Sequence, residues 1–173
     1  MRDEIEYWEN QQQEFPGKIR NVQSYLALEK GPSIVNALQY NPTPPEYLQS
    51  LFDEMLEYYK INAEYDILIK AALFHYQFES LHLFLGGNGR MERLLIHETL
   101  IENRLIRYSV LPLPEYLAQN RVEYLDRLWS AQCSKNLDQW IEYFLTAALR
   151  SAELTIKRLN QYVVSRKKDV ATI

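Results

Sequence analysis

The consecutive run His82-Leu83-Phe84-Leu85-Gly86-Gly87-Asn88-Gly89-Arg90-Met91-Glu92-Arg93 joins one histidine, a glycine-rich turn and two arginines. Gly86, Gly87 and Gly89 lack a Cβ, so the chain there can adopt positive φ and bring backbone N–H groups against an anion. A helix is expected to begin near Asn88, because the residues from Arg90 to Leu100 are mostly good helix formers without Gly or Pro. Its unpaired N–H groups and positive dipole end would face whatever sits in the turn. Arg90 and Arg93, three residues apart, share a helix face, and their planar forks suit phosphate oxygens. His82 is the one side chain in the run that titrates near neutrality. The pattern predicts a nucleotide polyphosphate as ligand and His82 as the base that takes a proton from an attacking hydroxyl.

Two familiar phosphate loops are excluded. Arg90 stands where a Walker loop would have its Lys-Ser/Thr pair, and the segment from Ile67 to Phe78 reads as helix, whereas a dinucleotide fingerprint would follow a strand. The run closely resembles instead the motif of the Fic family, His-Pro-Phe-x-Asp/Glu-Gly-Asn-Gly-Arg-x-x-Arg. The lead-in His75-Tyr76-Gln77-Phe78-Glu79-Ser80-Leu81 is similar to the family's approach to that motif, and Pro16-Gly17-Lys18-Ile19-Arg20-Asn21-Val22-Gln23 to its flap. Asn41-Pro42-Thr43-Pro44-Pro45-Glu46 resembles the proline-rich turn after the flap, and Asp138 to Leu145 the late core helix, so the likeness extends from about Phe15 to Tyr162.

The resemblance implies a mainly α fold, a Fic-type helical bundle with one small β-hairpin flap. Its parts would be a polar N-terminal extension (1–14), the Fic domain (15–162, with the flap at about 17–37 and the motif loop at 82–93) and a basic tail (163–173). It implies a protein adenylyltransferase that moves AMP from ATP to a Ser, Thr or Tyr hydroxyl of a target protein and releases pyrophosphate. On that likeness His82 is the general base. Gly87, Asn88, Gly89, Arg90 and Arg93 hold the phosphates, Phe84 packs inward to fix the loop, and the flap residues Lys18, Ile19, Arg20, Asn21, Val22 and Gln23 hold the target by main-chain pairing.

Three positions depart from the motif. Leu83 replaces proline and Glu92 replaces a residue that is often small; both bear on packing and local field. Gly86 stands where the family usually has the carboxylate that holds Mg²⁺, so no metal ligand is expected from a side chain there, and Mg²⁺ would come with ATP, weakly held. Loss of one preorganised electrostatic contact costs on the order of 100-fold in rate. The expectation is therefore an attenuated transferase; the alternatives are a different phosphate-linked donor or a catalytically degenerate relative that serves as a nucleotide-binding or protein-interaction module. The family's inhibitory helix, Ser/Thr-x-x-x-Glu-Gly/Asn, has no counterpart: Glu9-Asn10 and Glu102-Asn103 follow Ile5 and Glu98. Inhibition would then come from a separate antitoxin-like protein, or not arise.

Composition bounds the rest. The 173 residues suit one domain with a sizeable core, and a net charge of −4 argues against broad nucleic-acid binding. Asp3, Glu4, Glu6 and Glu9 make the start acidic, while Arg166, Lys167 and Lys168 make the end basic; both read as solvated faces. The single cysteine, Cys133, fits a reducing compartment and is expected to be partly buried. No apolar stretch spans a bilayer and no secretory leader is evident, so a cytoplasmic protein without membrane contact is expected. His75 and His97 match no zinc spacing and read as structural histidines.

The positioning elements follow from periodicity. Ile19 to Leu26 is expected to be a strand, turning at Gly31-Pro32 to a partner near Ile34-Val35. Leu48, Leu51, Phe52, Met55, Leu56 and Tyr59 mark an amphipathic helix, and about 64–80, apolar on nearly every side, should be the buried helix that presents the motif. Beyond the motif helix, Leu105 and Pro112 bracket a connection. One helix is expected around Leu117 to Trp129, and a longer one carries the stripe from Leu137 to Leu159.

Overall fold

A computed structural model describes residues 17–24, 42–61 and 65–170 of the chain. A short 3-10 turn, Pro45–Tyr47, leads into α1 (Leu48–Ile61); then come α2 (Ile67–Leu81), α3 (Asn88–Glu102), α4 (Leu113–Gln119), α5 (Arg121–Ser134) and α6 (Asp138–Val170). The Asp66 carboxylate starts α2 by accepting the Leu68 N–H at 2.9 Å, satisfying one of the donors a helix leaves unpaired at its first turn.

The central helix is α2, packed on α1, α3 and α6, while α6 also supports α4 and α5. Its interior residues face two apolar clusters. Ala71 and Ala72 join Ile96 and Leu100 of α3, Leu128 of α5, and Trp140 and Phe144 of α6. At its other end Phe78 and Leu81 meet Leu83 and, from α1, Leu48 and Met55. The two alanines leave room for the Trp140 ring, whose indole N–H donates to the Ala72 carbonyl at 2.8 Å across the α2–α6 interface. The motif therefore leaves a helix that is held on three sides.

Three expectations change. No strand occurs among the described residues: 19–24 run as an irregular stretch, and 25–41, where the remainder of the hairpin was expected, lie outside the described residues. The reason within 19–24 is that backbone groups there pair with the end of α2, as when the Arg20 N–H donates to the Leu83 carbonyl at 2.9 Å. The single helix expected around 117–129 is two, separated at Asn120, whose amide side chain donates to the Tyr116 carbonyl at 2.8 Å and closes α4. As the stripe implied, α6 runs on into the basic segment, as far as Val170. Cys133, near the end of α5, is exposed. The N-terminal extension lies outside the described residues. No described helix is long and apolar enough to cross a membrane.

Candidate active site

His82 is the residue on which α2 stops. Its backbone sits at φ 47°, ψ 60°, the left-handed conformation that ends many helices, and its N–H donates to the Phe78 carbonyl at 3.0 Å. A side chain there costs about 1–2 kcal/mol relative to glycine, so surrounding contacts must hold it. The imidazole is mostly buried, and its Nδ1 has no hydrogen-bond partner in the protein. Burial, and secondarily the nearby Arg20 guanidinium, lower its pKa to about 4. His82 is thus neutral and able to accept a proton at neutral pH, and a bound polyphosphate would raise its basicity.

After Leu83, buried in the second cluster, the chain turns through Gly86 and Gly87 into α3. Only Gly87 of the motif glycines has positive φ, at 86°, and it is the N-cap of α3 with no side chain capping the helix. The turn is closed from inside. Asn88, 3% exposed, accepts the Phe84 N–H at 3.0 Å and donates to the Phe84 carbonyl at 2.6 Å. Its side chain is therefore committed to loop shape, and what it leaves for an anion is the row of backbone N–H groups at the helix start. Phe84 packs against the second cluster, as expected.

His82, Gly86, Gly87, Asn88, Gly89 and Arg93 line one cleft of about 220 Å³, together with Glu79, Glu92, Arg121 and Tyr124. That is below the roughly 300–1,000 Å³ of most small-molecule pockets and suits phosphate groups better than an entire nucleotide. Arg93 is exposed on the wall. Arg90, also exposed, is not in the lining; its guanidinium stands over the turn, 3.1 Å from where a Cβ on Gly87 would be. The structure thus gathers His82, the turn and Arg93 but sets Arg90 at the rim.

Of the flap residues, Lys18 and Asn21 are exposed and Ile19 packs on the second cluster. Val22 and Gln23 are half-buried, with the Gln23 amide donating to the Pro42 carbonyl at 2.9 Å. The Arg20 side chain turns inward, 3% exposed, and its guanidinium is occupied by carbonyls of Leu81, His82, Val22 and Thr43, so only its backbone is left for the main-chain pairing expected of the flap.

Four polar lining residues escaped the sequence reading as site residues: Glu79, Glu92, Arg121 and Tyr124. Glu79 lies three residues before His82, hence near its face of α2, which was a usable signal; Arg121 and Tyr124 reach the cleft only through tertiary packing. Glu79 and Glu92 are buried and hydrogen-bonded to each other. Burial pushes the Glu79 carboxyl well up, and the neighbouring Glu92 adds to it by its charge and as a hydrogen-bond partner. Glu92 is raised by burial too, offset by Glu79, Arg93 and Arg121. Glu92 Oε1 lies 2.9 Å from His75 Nε2, which is also 3.0 Å from the Tyr124 hydroxyl. Burial lowers the His75 pKa to about 4, so this contact is a hydrogen bond to neutral imidazole and not an ion pair at neutral pH. His97 bridges the Arg93 and Leu111 carbonyls. Both other histidines thus pair with neighbouring residues.

A resident divalent cation does not fit this donor set. Gly86 supplies no side-chain oxygen, Glu79 and Glu92 are engaged with each other, and among the described residues no three His, Cys, Asp or Glu side chains converge on a point.

The fold agrees with what the chain is similar to. The Fic/DOC family model matches residues 2–100, more than half of the chain. A protein of Aquifex aeolicus (strain VF5) named as a probable protein adenylyltransferase is 27% identical over 103 residues, 60% of this chain and 30% of that protein. A Caenorhabditis briggsae protein adenylyltransferase is 27% identical over 146 residues, 82% of this chain and 24% of that one. The crystal structure of a Fic family protein from Desulfovibrio desulfuricans G20 superposes with a TM-score of 0.65 at 25% identity, covering 80% of this chain and 41% of its own. The chain therefore spans between about a quarter and two fifths of these relatives. With the family model matching over more than half its length, and the helical core superposing on a Fic structure, this chain is a member of the Fic/DOC family.

Proposed function

We propose that the protein transfers AMP from ATP to a hydroxyl of a target protein, with His82 as general base and the turn at Gly87–Gly89 with Arg93 holding the phosphates. The observation that carries this reading is the convergence of a neutral, desolvated histidine and an uncapped helix N-terminus on one cleft. In the reaction the target hydroxyl attacks the α-phosphorus and His82 takes its proton. The bond between the α-phosphorus and the bridging oxygen breaks, and pyrophosphate leaves with the electron pair. Backbone N–H groups of the turn and the Arg93 guanidinium stabilise the charge that develops on the phosphate oxygens. Mg²⁺ is part of the MgATP substrate, and no step here depends on a protein-held ion. The exposed Lys18 and Asn21 mark where the flap meets the target.

Gly86 favours a second reading, a degenerate relative that binds nucleotide or a partner protein without turnover. For the transferase, a small antitoxin-like protein is the proposed inhibitor; the alternative is that none exists, Gly86 having already lowered activity. Incubating wild type, His82→Ala and Gly86→Asp with labelled ATP and candidate targets separates the two. Labelling by wild type and its loss in His82→Ala supports the transferase; labelling by Gly86→Asp alone supports the degenerate relative. Gly86 does not have positive φ, so aspartate fits its backbone without strain. A folded protein in which no variant binds ATP would overturn the nucleotide site altogether.

A further inference from the structure

We propose that Arg20 is a positioning residue for His82: it caps the C-terminus of α2, holds His82 in its left-handed backbone conformation, and fastens the start of the flap and the turn at Thr43 to the helix that presents the base. The catalytic part of this rests on the reading of His82 as general base; the conformational part does not.

The carbonyls in the last turn of a helix have no partners within it. In α2 they are taken over by two residues from distant sequence. The Ser80 carbonyl accepts the Thr43 N–H at 2.9 Å and the Thr43 hydroxyl at 3.0 Å. The Leu81 carbonyl accepts Arg20 Nη2 at 3.0 Å, the His82 carbonyl accepts Arg20 Nε at 2.7 Å, and the Leu83 carbonyl accepts the Arg20 backbone N–H at 2.9 Å. Three consecutive carbonyls, with His82 in the middle, are thereby held by one residue. The arrangement explains how a non-glycine residue is kept at φ 47°.

The same guanidinium ties the flap. Arg20 Nη1 donates to the Val22 carbonyl at 2.7 Å and Nη2 to the Thr43 carbonyl, while the Gln23 amide reaches Pro42. Residues 20–23, which enter the segment 25–41, and 42–43, which leave it, are thus pinned at one place, beside His82. A charged guanidinium is also well placed at the negative end of the α2 dipole. Lysine cannot replace it, because a single ammonium has no planar fork to serve four carbonyls in different directions. The charged and titratable groups around His82 are Arg20 from the flap side, Glu79 one turn back on α2, Glu92 and Arg93 on α3, and Arg121 with Tyr124 on α5.

The test uses Arg20→Lys and Arg20→Gln in the full chain, checked for folding by circular dichroism. In isotope-labelled protein, NMR reads the His82 backbone coupling, which reports φ, and the titration of its ring. Both variants are expected to release His82 from positive φ. In Arg20→Gln, which removes the adjacent positive charge, the ring pKa is expected to rise. In the AMP-transfer assay kcat should fall on the order of 10- to 100-fold while KM for ATP changes little, because the phosphate turn belongs to α3. If Arg20→Gln does not fold, Arg20→Lys, which keeps charge and stem, decides. A folded variant with wild-type His82 coupling and wild-type kcat overturns the proposal. If wild type itself transfers no AMP, the transferase reading fails while the NMR result still decides whether Arg20 holds His82.

Discussion

Asn88 and the two motif arginines show how much chemistry turns on where a side chain points. Residue types and spacing placed His82, Gly87, Asn88, Gly89, Arg90 and Arg93 in one phosphate site, yet Asn88 is committed to the Phe84 backbone and Arg90 lies outside the cleft lining. Spacing reports a shared helix face, whereas lining depends on which other elements complete the cleft, and residues of α4 and α5 line it together with Arg93. Arg93→Ala is therefore expected to weaken ATP binding more than Arg90→Ala, by about 1–2 kcal/mol for a charge-assisted contact, read by calorimetry. Equal losses would show that Arg90 swings inward on binding. For Asn88→Ala the expected cost is about 1–3 kcal/mol of folding stability, because both bonds vanish from a buried site, together with weaker ATP binding as the turn relaxes. Urea denaturation and calorimetry measure the two effects; an unchanged midpoint would mean that the turn holds its shape without the amide.

At the scale of elements, α3 was legible because glycine-asparagine-glycine followed by an uninterrupted run of helix formers marks a helix start, and α3 begins at Asn88. The α1 stripe was equally clear, and Leu48 and Met55 are indeed buried. The flap was not. A short alternating stretch such as Ile19 to Gln23 resembles a strand on propensity, but the fate of its backbone groups depends on a helix end far along the sequence, as when the Arg20 N–H donates to the Leu83 carbonyl just past α2. The break at Asn120 was missed for a similar reason, since a single side-chain bond to Tyr116 divides one apolar pattern between two helices. Trp140 joins α6 to α2, and Trp140→Phe puts a smaller ring in place of the fully buried indole and removes its donor to Ala72. The expected loss is about 2–3 kcal/mol, from the hydrogen bond and the volume left unfilled, with AMP transfer preserved. Thermal unfolding and the labelled-ATP assay check this; a large activity loss in the folded variant would mean that the α2–α6 contact at Trp140 aligns the site.

Across the whole molecule, buried titratable groups tie stability to pH in two opposing directions. His75 is fully buried, and its pKa falls from 6.5 in the unfolded chain to about 4, a difference worth roughly 3 kcal/mol. Below pH 6.5 the unfolded chain takes up a proton that the folded one refuses, so this contribution, full above 6.5, is lost as pH falls toward 4. Glu79 acts the other way. Its folded pKa is raised well above 4.5, so the folded chain holds a proton that the unfolded one has released. Its contribution is full below 4.5 and is lost as pH rises through the folded value. The slope from one such proton is at most about 1.4 kcal/mol per pH unit. Glu79→Gln replaces the proton-bearing oxygen by an amide that can donate to Glu92 at any pH. Urea denaturation at pH 6 and pH 9 should then show wild type losing stability at the higher pH and Glu79→Gln losing measurably less. Identical losses in the two proteins would mean that Glu79 carries no proton in the fold, and that the cleft floor holds two carboxylates and the full negative charge that His82 and the incoming phosphates would have to face.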